Sequence, residues 1–88
     1  MGVSRETVRG GVLRILQKHA QAGATVSDKS RLVADLGIDS LGVMEIVADL
    51  EDEFELRIQD DALRDIDSVA DVARAVETRL RAAGRLDG

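Results

Sequence analysis

The chain has 88 residues, 44% apolar and 33% charged, with a formal charge of −5. That size supports one domain around one core, and that balance lies well away from the disordered class. It has no Cys, Pro, Trp or Tyr and a single aromatic residue, Phe54, which excludes disulfides, thiolate metal sites and a protein thiol nucleophile.

A negative chain without aromatic stacking platforms is a poor nucleic-acid binder, because Lys and Arg must displace counterions from phosphate. No apolar run approaches the roughly 18 residues of a membrane span, and the opening MGVSRETVRG lacks the apolar core of a signal peptide. The expectation is therefore a cytoplasmic, monomeric protein whose partners are basic.

From about Ser4 to Gln21, the residues Val8, Val12, Ile15, Leu16 and His19 recur on one face at the helical period. Ser4 is the expected N-cap, Glu6 suits the first turn and Gly23 offers an exit. Gly10 and Gly11 oppose this helix by roughly 1 kcal/mol each. From Ala22 to Asp39 the period breaks into a long loop containing Gly23, Ser27, Asp28 and Ser30, with Val26, Leu32, Leu36 and Ile38 available to a core. A connection this long in a small domain is usually functional.

The second helix is expected from Ser40 to Leu56, with Val43, Ile46, Val47, Leu50 and Phe54 on its buried stripe. Asp60 to Asp65 suffices for a short third helix. Ser68 and Asp71 resemble a capping box. The stripe Val69, Val72, Ala73, Val76 and Leu80 carries a last helix to about Ala83, with Gly84 as its cap. With no segment of period two, the fold class is all-α: a small four-helix bundle with three longer helices, one short third helix and a long loop between helices one and two. The core unit runs over about residues 4–83, and 84–88 is expected to be a flexible tail.

Charge is sorted along the chain. Residues 1–34 hold six basic and two acidic side chains, residues 35–71 two and thirteen, and residues 72–88 four and two. Between Asp39 and Leu56 stand Asp39, Glu45, Asp49, Glu51, Asp52, Glu53 and Glu55 with no base. A solvated face is the simplest explanation of such a run. Neighbouring like charges destabilise a helix, however, and acids at its C-terminal end oppose the macrodipole, so a docking surface for basic partners explains the run better.

The junction Leu36-Gly37-Ile38-Asp39-Ser40-Leu41 puts a glycine, an acid and a serine where loop becomes helix. If Asp39 caps the helix, Ser40 lies in its first turn with a free hydroxyl, and a phosphodiester there would meet the unpaired N–H groups and positive dipole end. Catalysis by Ser40 is disfavoured: Gly37 to Gly42 has one residue too many before the serine for a G-x-S-x-G elbow, and the only imidazole, His19, lies in an apolar stripe. The acids lack the spacing of an EF-hand and there is no His/Cys cluster, so no metal site is expected.

These residues resemble the acyl carrier protein family, whose modified serine lies in D-S-L preceded by L-G-x. The likeness covers roughly residues 4 to 82, through Val43 to Phe54, Ile58-Gln59-Asp60-Asp61 and Ile66-Asp67-Ser68-Val69. It implies that a phosphopantetheinyl transferase attaches 4′-phosphopantetheine covalently to Ser40, flanked by Asp39 and Leu41. The terminal thiol of that arm then carries acyl groups for acyl-loading and acyl-processing enzymes of fatty-acid or polyketide biosynthesis, and the chain itself has no catalytic activity. The resemblance also makes Leu41, Glu45, Ala48, Asp49 and Asp52 the partner-facing surface, and Leu50, Phe54, Leu63 and Ile66 the core that can shelter an acyl chain. Gln59 departs from the Pro common in the family, which leaves the loop before the third helix with an extra N–H. An aminoacyl or peptidyl carrier is the alternative within the class, and an unmodified acidic adaptor the alternative outside it. The Met1 start and short tail favour a freestanding chain.

Overall fold

Ser4 opens the first helix: its backbone is extended and its Oγ accepts the Thr7 N–H at 3.1 Å. In the computed structural model, which describes residues 2–21 and 23–87, helix α1 spans Arg5–His19, α2 Ser40–Phe54, α3 Asp60–Leu63 and α4 Val69–Ala82. The order and relative lengths are those of the expected all-α bundle. Met1, Ala22 and Gly88, assigned to the N-terminus, the long loop and the tail, lie outside the described residues.

Two helices end short of their expected bounds at Gln21 and Leu56, at the last residues of their apolar stripes. Ala20 turns extended (φ −70°, ψ 154°), which closes α1 at His19. Glu55 takes the left-handed conformation (φ 51°, ψ 56°), and the Leu56 N–H returns to the Glu51 carbonyl at 3.2 Å, so α2 closes at Phe54.

One core joins the elements. It takes Val8, Val12, Ile15 and Leu16 from α1, Ile46, Leu50 and Phe54 from α2, Val69, Val72, Val76 and Leu80 from α4, and Leu32, Leu36, Ile38 and Ile58 from the connections. The capping box at the start of α4 forms in both directions: Ser68 Oγ accepts the Asp71 N–H, and Asp71 Oδ2 accepts the Ser68 N–H at 3.0 Å and the Asp67 N–H at 3.1 Å. Those backbone N–H donors hold the Asp71 carboxyl below its ordinary pKa.

The long loop is fastened to this cap. The Leu32 N–H donates to the Asp67 carbonyl at 2.9 Å, the Val69 N–H to Ser30 at 3.0 Å and the Ala70 N–H to Asp28 at 3.0 Å. The Leu32 carbonyl in turn accepts the Ile38 N–H at 2.9 Å. Leu32 thus ties the start of α4 to the approach of α2.

Within the tail expected over 84–88, residues 85–87 fold back along the bundle. Gly84 adopts φ 70°, its N–H reaches the Arg81 carbonyl at 3.0 Å and the Arg85 N–H reaches Leu80 at 2.7 Å, which reverses the chain at the end of α4. Strand β2 (Leu86–Asp87) then pairs in parallel with β1 (Val3–Ser4). The Arg85 guanidinium donates to the Phe54 and Glu55 carbonyls, each at 2.7 Å. A cation therefore caps the negative end of α2, where the sequence shows only acids.

Candidate functional site

Asp39 is the N-cap of α2. Its backbone is extended (φ −83°, ψ −178°) and its Oδ1 accepts the Gly42 N–H at 2.8 Å. Ser40 follows as the first helical residue and is exposed. The cap leaves no space for a larger residue at position 42: a Cβ there would lie 2.7 Å from Ile38 Cγ2 and 3.3 Å from Asp39 Oδ1. Gly37 enters the junction with φ 67°, where a Cβ would lie 2.5 Å from the Gln21 side chain, and the Gln21 N–H donates to the Leu36 carbonyl at 3.2 Å. The loop before Ser40 is thereby seated on the end of α1.

Electrostatics at this helix end differ from those of the other long helices. The first turn of α1 contains Glu6 and that of α4 contains Asp71, whereas the first turn of α2 contains no acid. The Ser40 and Leu41 N–H groups have no intrahelical acceptor, and the macrodipole is partly positive there. The Asp39 carboxylate takes the Gly42 N–H at this end, and the Ser40 and Leu41 N–H groups leave it able to accept a further anion from outside the helix.

Beside Ser40 lies a shallow depression lined by His19, Gly37, Ile38, Asp39, Leu41, Gly42 and Glu45. Leu41 and Met44 are each 64% exposed on the same stretch of helix. Leu41, Glu45, Ala48 and Asp52, all exposed, follow one another at the helical period and form a continuous outer face. Met44 belongs beside this face but is missing from the sequence-derived surface. Its signal was available, because it lies three residues after Leu41 and outside the buried stripe.

Asp49 departs from the expected surface. It is half-buried and accepts from His19 Nε2 at 2.8 Å, with Lys18 Nζ at 3.9 Å. Glu45 lies 3.7 Å from His19 Nδ1, Glu53 pairs with Arg14 at 2.6 Å, and Glu51 accepts the Ile58 N–H at 2.9 Å. Arg14, Lys18 and His19 of α1 thus face Glu53, Asp49 and Glu45 across the α1–α2 seam. Among the described residues, Asp39, Asp52 and Glu55 form no ion pair within the chain. His19 serves to join α1 to α2. No described cluster of His and carboxylates could hold a metal ion, and no helix of the described residues is long and apolar enough to cross a membrane.

A helical bundle that displays a serine at an anion-favouring helix end, next to an exposed apolar and acidic face, has the features of a phosphopantetheine-bearing carrier domain. The phosphopantetheine attachment site family matches residues 7–76. The chain is 38% identical over 72 residues to the acyl carrier protein of Phenylobacterium zucineum, a match covering 81% of this chain and 91% of that one. It is 52% identical over 46 residues to the acyl carrier protein of Exiguobacterium sibiricum, covering 52% of this chain and 58% of that relative. The acyl carrier protein of Thermotoga maritima has a similar solved structure, with a TM-score of 0.71 and 29% identity over 90% of this chain and 93% of that one. The chain belongs to the acyl carrier protein family, whose members carry 4′-phosphopantetheine on a serine.

Proposed function

We infer that Ser40 carries the 4′-phosphopantetheine arm, and that the chain tethers acyl intermediates of fatty-acid or polyketide-type biosynthesis as thioesters without catalysing their reactions. The observation that carries this reading is the position of Ser40: exposed, first in α2, and preceded by a cap that leaves its hydroxyl free. When bound, the arm supplies the thiol that a chain without Cys lacks. Asp39 fixes the helix start, Gly42 makes room for that cap, and the first-turn N–H groups favour the phosphodiester.

In the transfer, the Ser40 oxygen bonds to the phosphorus of coenzyme A as the pyrophosphate P–O bond breaks. The adenosine bisphosphate leaves and the serine proton passes to the transferase or to water. Leu41, Met44, Glu45, Ala48 and Asp52 form the face read by the transferase and by acyl-loading and acyl-processing enzymes with basic patches. Apolar contact at Leu41 and Met44 then adds to the electrostatic steering of the acids. The reading includes a cytoplasmic setting.

The test is incubation with coenzyme A, Mg²⁺ and a promiscuous phosphopantetheinyl transferase, followed by intact-mass analysis. One phosphopantetheinyl group is expected on the native chain and none on Ser40→Ala. Addition that persists in Ser40→Ala assigns the arm elsewhere. Loading trials with acyl transferases and adenylating enzymes then separate an acyl from an aminoacyl cargo.

A further inference from the structure

His19 is the one imidazole of the chain, and its side chain, at the C-terminal end of α1, is 16% exposed. Glu45 and Asp49, one turn apart on α2, face it, and Lys18 of its own helix lies 3.9 Å from the same Asp49 oxygen. Asp39 lines the depression that His19 shares with Glu45, where the connection before α2 contributes the uncharged Gly37 and Ile38.

The two ring nitrogens are served unequally. Nε2 lies 2.8 Å from Asp49 Oδ2, within hydrogen-bond range, and because a carboxylate can only accept, Nε2 carries the proton. In the neutral ring Nδ1 is then an acceptor, and it faces a second acceptor, Glu45 Oε2, at 3.7 Å. Two lone pairs meet there with no proton between them. One proton taken from water turns Nδ1 into a donor and makes the ring a cation between two carboxylates, which can close that gap to a charge-assisted hydrogen bond.

Glu45 also belongs to the outer face. It is 58% exposed, follows Leu41 by one helical turn and lines the depression beside Ser40. A carboxylate held by the imidazolium has less charge to offer a basic group from outside. Resting on the reading of Ser40 as the arm-bearing residue and of this face as the partner surface, we propose that the charge on His19 sets how strongly Glu45 grips a partner enzyme. The neutral imidazole leaves Glu45 to a Lys or Arg of the partner, and the imidazolium draws it back towards α1. Docking therefore weakens as acidification protonates His19, and by linkage a docked partner makes His19 harder to protonate.

The test compares the native chain with His19→Gln, whose amide keeps a donor for Asp49 and takes on no charge. Steady-state modification of both by one promiscuous phosphopantetheinyl transferase is measured at about pH 8 and about pH 6, with intact mass confirming the added group. The ratio of native to variant KM should rise about two- to fivefold at the lower pH while the kcat ratio stays constant; any effect of pH on the transferase itself cancels in both ratios. On the native chain without its arm, NMR follows the His19 ring nitrogens and the Glu45 carboxyl carbon over the same range. Nδ1 should gain its proton and the Glu45 signal should move with it. A KM ratio independent of pH overturns the proposal, as does a ring that stays neutral throughout or a Glu45 signal that does not follow the ring. The NMR titration decides the matter even if His19→Gln fails to fold. Absence of added mass at Ser40 sinks the attachment reading alone, because the titration needs no arm.

Discussion

The Phe54 ring packs onto Gly11 so closely that a Cβ on that glycine would lie 2.7 Å from Cζ and 3.3 Å from Cε2. Phe54 is the only aromatic residue and is buried, so its ring cannot swing out of the way without opening the core. Gly11→Ala should therefore lower stability by about 1–3 kcal/mol despite the better helix propensity of Ala. At the exposed neighbouring Gly10 a Cβ meets nothing within 4 Å, and Gly10→Ala should raise stability by about 0.5–1 kcal/mol. Urea denaturation of the two variants checks both signs.

That pair also shows what the sequence could and could not disclose. Helical period alone located α1, α2 and α4, and the Asp39-Ser40 junction was legible because capping is a local rule written in adjacent residues. Gly10 and Gly11 look alike in the sequence, since their difference comes from a ring supplied by a residue in another helix. Asp49 was assigned to the outer face for the same reason: its His19 and Lys18 partners belong to α1. The contacts of residues 85–87 were hidden because they depend on the backbone of β1 and on two carbonyls at the end of α2.

Glu55 is the only described non-glycine residue with positive φ. The left-handed region costs an L-residue roughly 1–2 kcal/mol, and a carboxylate at a helix C-terminus adds to that. Glu55→Gly should raise stability by about 1 kcal/mol, read from a chemical denaturation midpoint, while phosphopantetheinylation at Ser40 continues at its native rate. A loss of stability would mean that the closing turn depends on the Glu55 side chain.

Asp49 and Asp52 lie on the same helix but should behave in opposite ways. Removing the Asp49 carboxylate takes the hydrogen-bond partner of His19 Nε2 and the ion-pair partner of Lys18, so Asp49→Ala should cost on the order of 1 kcal/mol. Asp52→Ala should change stability by less than about 0.5 kcal/mol and instead slow modification by the transferase, most strongly at low ionic strength. Paired denaturation and modification-rate measurements test this separation.

The capping box gives a pH signature. Because the Asp71 pKa is lowered in the folded chain, its contribution is present above the ordinary carboxylate value and is lost as pH falls through the lowered one. Asp71→Ala should be less stable than the native chain at neutral pH, and the gap should close on acidification through that range. Ser68→Ala should cost about 1 kcal/mol at neutral pH through loss of the reciprocal bond. A gap between the native chain and Asp71→Ala that widens on acidification would contradict this assignment.

The parallel pairing of Val3 with Leu86 and of Ser4 with Asp87 brings the two ends of the bundle to one point on its surface. A polypeptide can therefore enter and leave the domain through a single doorway. The same bundle could be spliced into a loop of a larger enzyme without stretching the host, or circularly permuted by a short linker across the pair, with Ser40 still displayed at the head of α2.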